Sequence, residues 1–181
     1  MSYTLVEGKE KNYTLAKNIC LIIFGAIFLG IFSKIYIPLF FTPVPIGLQN
    51  SIAVSYGFFY KSKKAALSIF LFVFLGCMGL PFFSHGSYGL LHLLSSTGGY
   101  IIGYIIAAFF VGRIFEKIKI FSLKNISLTI LFGHLIVLVM GWLWFSTIVG
   151  MKTAFVLGVL PFIAGDVFKS IVITKLIKYL N

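Results

Sequence analysis

The sequence predicts an all-α integral membrane protein of six transmembrane helices with both termini cytoplasmic. Three observations carry that prediction. Of 181 residues, 60% are hydrophobic and 10% charged, and the mean hydropathy is +1.06, which excludes an ordinary soluble domain. The apolar residues fall into runs near the length that crosses about 30 Å of hydrocarbon. The 15 Lys and Arg residues stand in small clusters between those runs, against 4 acidic residues. A net charge of +11 without a basic face or recognition motif reads as membrane topology, and no nucleic-acid partner is expected.

The chain reads as one transmembrane domain, 1–181, opening with a cytoplasmic segment, 1–18. The first span, 19–32, follows Lys17 with no small-residue cleavage site after it, so it is a retained helix. IPLFFTPVPIGLQN then carries Pro38, Pro43 and Pro45. Proline withdraws a donor and keeps its predecessor extended, so this piece is an apolar outer loop. Spans 45–60 and 65–80 are short and joined only by Lys61, Ser62, Lys63 and Lys64, a tight hairpin. A second apolar loop, GLPFFSHGSYGLLHLLSSTGGY, leads to the span 98–115, and 126–149 follows. Irregular apolar backbone at membrane depth persists only where protein buries it or a cavity faces it. Both outer loops should therefore fold over the outer end of the bundle. Thr153–Leu180 would be about 42 Å long as one helix, too long for a straight span. Pro161 and Gly165 are the expected breaks, with a short helix ending near Leu160 and the last span at 165–180.

Charge tests the count. With six spans, Lys9, Lys11, Lys17, Lys61, Lys63, Lys64, Arg113, Lys117, Lys119, Lys124, Lys175 and Lys178 share one side. Only Lys34 and Lys152 fall opposite, a strong positive-inside bias.

One charged pair breaks the pattern. Asp166 and Lys169 lie in GVLPFIAGDVFKSIVITKL, with apolar sequence on both sides. An ionisable residue in hydrocarbon costs roughly 2.5–3.5 kcal/mol on insertion scales, so such a pair marks a functional site. Asp166 is expected near the start of the last helix, with Lys169 one turn further on the same face. The plainer alternative is a salt bridge that only neutralises itself. Gln49, at the mouth of the second span, is a site residue or a backbone cap; His85 is a site residue or a loop donor. His92 and His134 read as packing residues. Gly98 and Gly99 allow close approach, to ligand or to a neighbouring helix. Cys20 and Cys77 give no disulfide framework, and no metal spacing or cofactor motif occurs.

TPVPIGLQN (42–50), GLPFF (79–83), TGGYIIG (97–103), GWLW (141–144) and GVLPFIAGDVFK (158–169) resemble, in this order, the signature segments of the BioY biotin transporters. These are the substrate-binding S components of energy-coupling factor (ECF) transporters. The resemblance implies high-affinity biotin uptake at a bacterial plasma membrane, through a pocket beneath the outer loops. It implies, as partners, a transmembrane coupling subunit and two ABC-type ATPases, with no enzymatic activity in this chain. Carried over by residue, Gly165, Asp166 and Lys169 line the pocket. Phe82, Phe83, Tyr100 and Trp144 would wall the bicycle, and Ala26 with Gly30 would dock the coupling subunit or pack within the bundle. This chain departs from the family's pattern at Gly47, Asn50, His85, Ser95, Ser96 and Ala164. A self-sufficient ion-coupled carrier and an S component for another vitamin remain the alternatives. An intramembrane hydrolase would need a nucleophile–base pair, and His134 has no obvious partner set in the sequence.

Overall fold

The computed structural model describes the backbone of residues 2–180 and the side chains of residues 14–180. Lys9 and Lys11 of the charge count therefore lie outside the described side chains. Helix α1 spans Ser2–Phe32, so the segment read as a cytoplasmic leader continues the first helix. Its Ile19, Ile23, Phe24, Ile27 and Ile31 face outward, as a lipid-facing flank should, while Ala26 and Leu29 are wholly buried. The proline-rich loop is not helical, as expected. It closes on itself as an antiparallel ribbon, β1 (Tyr36–Ile37) against β2 (Ile46–Gly47), with Tyr36 opposite Gly47. That ribbon holds Pro45, so helix α2 begins at Gln49 rather than at residue 45.

Helix α2 (Gln49–Cys77) is two arms joined at Lys61, whose φ of 62° is outside helical geometry. A Cβ on Gly25 of α1 would touch both Tyr56 and Ser68. Twelve residues of straight helix would hold those two about 18 Å apart, so the chain folds back at Lys61, as the hairpin reading required. Glu116 secures the turn. It stands in the last turn of α4 rather than in a loop, and its Oε1 accepts from both the backbone N–H and the hydroxyl of Ser62, each at 2.9 Å.

After α2, a 3₁₀ turn (Ser84–Gly86) and the short α3 (Leu90–Leu93) form the second outer loop. Helices α4 (Gly98–Lys117) and α5 (Leu123–Val149) complete the core. The Ser122 hydroxyl caps α5 by accepting from Asn125 N–H. Small residues set the helix spacing. A Cβ on Gly57 would lie 2.6 Å from the backbone N of Gly112, so the first arm of α2 and α4 pack backbone to backbone.

The C-terminal segment is broken, but elsewhere than expected. Helix α6 (Met151–Gly158) ends at Val159, and α7 runs from Leu160 to Leu180. Pro161 sits in the first turn of α7, where its missing N–H would lack an intrahelical acceptor in any case. Gly165 lies inside α7 and breaks nothing, so Asp166 is in the second turn and is not an N-cap. At the break, Phe162 N–H bonds to the Val159 carbonyl and leaves the Gly158 carbonyl to the Tyr100 hydroxyl, at 2.7 Å.

By length and composition four stretches can cross a membrane: 14–32, 98–117, 123–149 and 151–180. The arms of α2 are shorter, about 18 Å and about 24 Å of helix.

Candidate functional site

Asp166 and Lys169 form the ion pair that their spacing suggested. The Lys169 ammonium is 2.7 Å from Asp166 Oδ1, and the side chains are 15% and 4% exposed. Asn50 Nδ2 donates to the same oxygen at 3.2 Å, tying the first turn of α2 to α7. Behind the pair, His134 of α5 meets Ser51 through Nε2 (3.2 Å) and Ser170 through Nδ1 (2.9 Å). The Ser170 hydroxyl donates to the Asp166 carbonyl, so its oxygen must accept from His134 Nδ1–H. Nε2 faces the Ser51 hydroxyl. The imidazole thereby links α2, α5 and α7.

Beside this network lies a narrow cavity of about 40 Å³. Val44, Pro45 and Gly47 of the first outer loop border it, with Ser84 and Thr97 of the second. The two loops also meet each other: the Tyr36 ring lies 4.2 Å from that of His85. Both loops thus cover the site, as the apolar composition required. Tyr100, Ile101 and Tyr104 of α4, Val137 and Leu138 of α5, and Phe162 of α7 supply the apolar wall. Gln49, Asn50 and Lys169 supply its polar corner, while Asp166 holds the last two from behind. Three buried polar atoms at this corner have no partner: Gln49 Nε2, Asn50 Oδ1 and Asp166 Oδ2.

The structure brings Gln49, Tyr100 and Lys169 to the cavity wall, with Asp166 immediately behind. It does not bring the other expected residues there. His85 is exposed, held at φ 63° in the 3₁₀ turn with its ring against Tyr36, and does not line the cavity. Trp144 donates from Nε1 to the Ser95 carbonyl at 2.9 Å and stands against Gly98 and Gly99. A Cβ on Gly99 would fall 2.2 Å from that of Trp144, so the doublet serves helix packing. Phe83 is buried against Phe72 and His92, and Phe82 lies over Gly30. With Ala26 in the core and Gly30 covered by Phe82, this pair packs within the bundle and does not form a free docking stripe.

Asn50, which lines the cavity and bonds Asp166, is not among the residues the sequence placed there. It adjoins Gln49 inside a quoted motif, and a second amide beside a lone carboxylate was the available signal. The long-range partnership of His134 with Ser51 and Ser170 left no local signal. Among the described residues no group of three or more His, Cys, Asp or Glu side chains is placed to hold a metal.

A sequence model of the BioY family matches residues 6–181. A Pyrococcus horikoshii protein described as a probable biotin transporter BioY is 40% identical over 128 residues, covering 71% of this chain and 75% of that protein. A Rickettsia prowazekii protein of the same description is 30% identical over 176 residues, 97% of this chain and 89% of its own. A crystal structure of the S-component for biotin from an ECF-type ABC transporter matches with a TM-score of 0.82 at 30% identity, covering 93% of each chain.

Proposed function

The chain belongs to the BioY family, and from that premise we propose that the covered cavity binds biotin by its ureido ring at the polar corner of Gln49, Asn50 and Lys169, with Asp166 directly behind it. The protein is a biotin-transport S component, a multi-pass plasma-membrane protein and not an enzyme. One observation supports the site. The unpartnered atoms are one N–H donor, on Gln49, and two acceptors, on Asn50 and Asp166. A cyclic urea carries the complement, one carbonyl acceptor and two N–H donors. Buried polar groups left unmade cost about 1–3 kcal/mol each, so a ligand that satisfies all three binds strongly and selectively. The apolar wall from Tyr100 to Phe162 suits the bicycle and aliphatic chain.

In the membrane, the hairpin of α2 counts as two short crossings, which with α1, α4, α5 and the α6–α7 segment makes six. Both termini are then cytoplasmic, a reading supported by the charge distribution along the sequence. A coupling subunit and two ATPases supply the energy for release. Calorimetry on purified protein tests the site. Asn50→Leu and Asp166→Asn should each weaken biotin at least tenfold, while desthiobiotin, which keeps the urea, should still compete. Unchanged affinity in both variants would refute the assignment. Uptake that persists without co-expressed ATPases and stops with an uncoupler would refute the energy source.

A further inference from the structure

Another flank of the molecule carries a second site, whose upper end reaches Leu48 and Ser51 beside the Gln49–Asn50 corner. A largely apolar groove runs between α1, the first arm of α2 and α7, lined by Leu21, Phe24 and Phe28 on one side and Ile52, Tyr56 and Tyr60 on the other. From Leu21 to Phe32 its α1 wall rises about 16 Å, close to half of a hydrocarbon core of about 30 Å. One end is charged. Asn18 stands one turn before Leu21, and Lys61 directly follows Tyr60; both line a cleft with Ser62, Lys63, Lys64 and Arg113.

The cleft holds a surplus of positive charge. Glu116 is its one carboxylate, already shared by Ser62 and by Arg113 at 3.5 Å. Lys64 reaches across to Asn18 Oδ1 at 3.3 Å, closing the gap between α1 and α2. Lys61 and Lys63 have no ion-pair partner among the described residues. Positive-inside bias explains lysines on this side of the membrane. It does not explain four cations in one cleft that continues into a groove one leaflet deep.

We propose that this flank binds one anionic phospholipid, with an acyl chain in the groove and its phosphate among Lys61, Lys63, Lys64 and Arg113. A zwitterionic headgroup offers the cleft no net charge, and a second copy of this chain would bring the same positive surface. Basic pockets between transmembrane helices suit anionic headgroups, with each lysine contributing about fivefold in affinity.

The experiment is native mass spectrometry and thermal denaturation of the full chain in mild detergent, titrated with phosphatidylglycerol or phosphatidylcholine. One phosphatidylglycerol should be retained and should raise Tm more than phosphatidylcholine does. Lys61→Gln combined with Lys63→Gln should lower that preference by roughly 25-fold. Ser55→Phe, which fills the groove, should reduce retention of both lipids. Biotin binding serves as the folding control in both variants. Equal retention of the two lipids, or a preference that survives the double lysine variant, overturns the proposal. So does equal stabilisation by inorganic phosphate, which would make the cleft a simple anion site. Occupation of the groove by a partner helix with no loss on adding phosphatidylglycerol overturns it too.

Discussion

Replacing Lys169 by Met should destabilise the fold more than replacing both members of its ion pair. In Lys169→Met the Asp166 side chain, 4% exposed, loses an ammonium 2.7 Å away and keeps only Asn50 on one oxygen. Its other oxygen is already without a partner. Breaking a buried pair from one side costs about 3–5 kcal/mol, because a desolvated charge remains. In Asp166→Leu the orphan is Lys169, 15% exposed and on the cavity wall, so its ammonium can turn toward water there. The cost should be smaller, about 1–3 kcal/mol. The double variant Asp166→Leu, Lys169→Met buries no charge and should fall within about 2 kcal/mol of the parent. Unfolding in mixed micelles, run as a double-mutant cycle, measures the coupling, and calorimetry in parallel should show no biotin binding in any of the three. Additive losses, agreeing within about 0.5 kcal/mol, would refute the buried-pair reasoning.

Three further outcomes are expected. Tyr100→Phe removes the donor to the buried Gly158 carbonyl and should lower stability by about 1–3 kcal/mol, read by the same unfolding assay. Glu116→Gln weakens the acceptor at the start of the second arm of α2 and should lower stability by about 1 kcal/mol, while biotin affinity stays unchanged. Burial, and then the neighbouring His85, hold the His92 imidazole below its ordinary pKa of 6.5. The folded form therefore favours the neutral ring, so the outer loop is fully stabilised above about pH 6.5 and loosens as pH falls below it. Hydrogen exchange of residues 84–97, corrected for intrinsic rates, should show faster opening at pH 5 than at pH 7, and His92→Phe should abolish the difference.

What the sequence made legible was chemistry that is local or out of place. A carboxylate and an ammonium three residues apart in hydrocarbon had to face each other, and they do. Three prolines in one loop excluded a helix there, and Lys61–Lys64 between two short apolar runs forced a reversal. The position of the helix break was not legible, because Pro161 is tolerated in a first turn, and Val159 interrupts the helix without any breaker chemistry of its own. Small residues were ambiguous for the same reason. Gly98, Gly99 and Gly30 each announce a close approach, but only the fold shows that Trp144 and Phe82 occupy the space. The serines that hold His134 lie 83 and 36 residues from it, beyond any spacing rule.

The Gly158 carbonyl ties the phenol of α4 into the backbone of the C-terminal segment. Where a helix is interrupted, a stranded acceptor invites water, and a wet defect within a bilayer tends to become a hinge. Here a side chain from another helix plugs the defect, so the two halves of the segment are welded instead of jointed. Lys169 then sits on a stiff arm, and adaptation to an incoming vitamin falls to the ribbon and the outer loop above it.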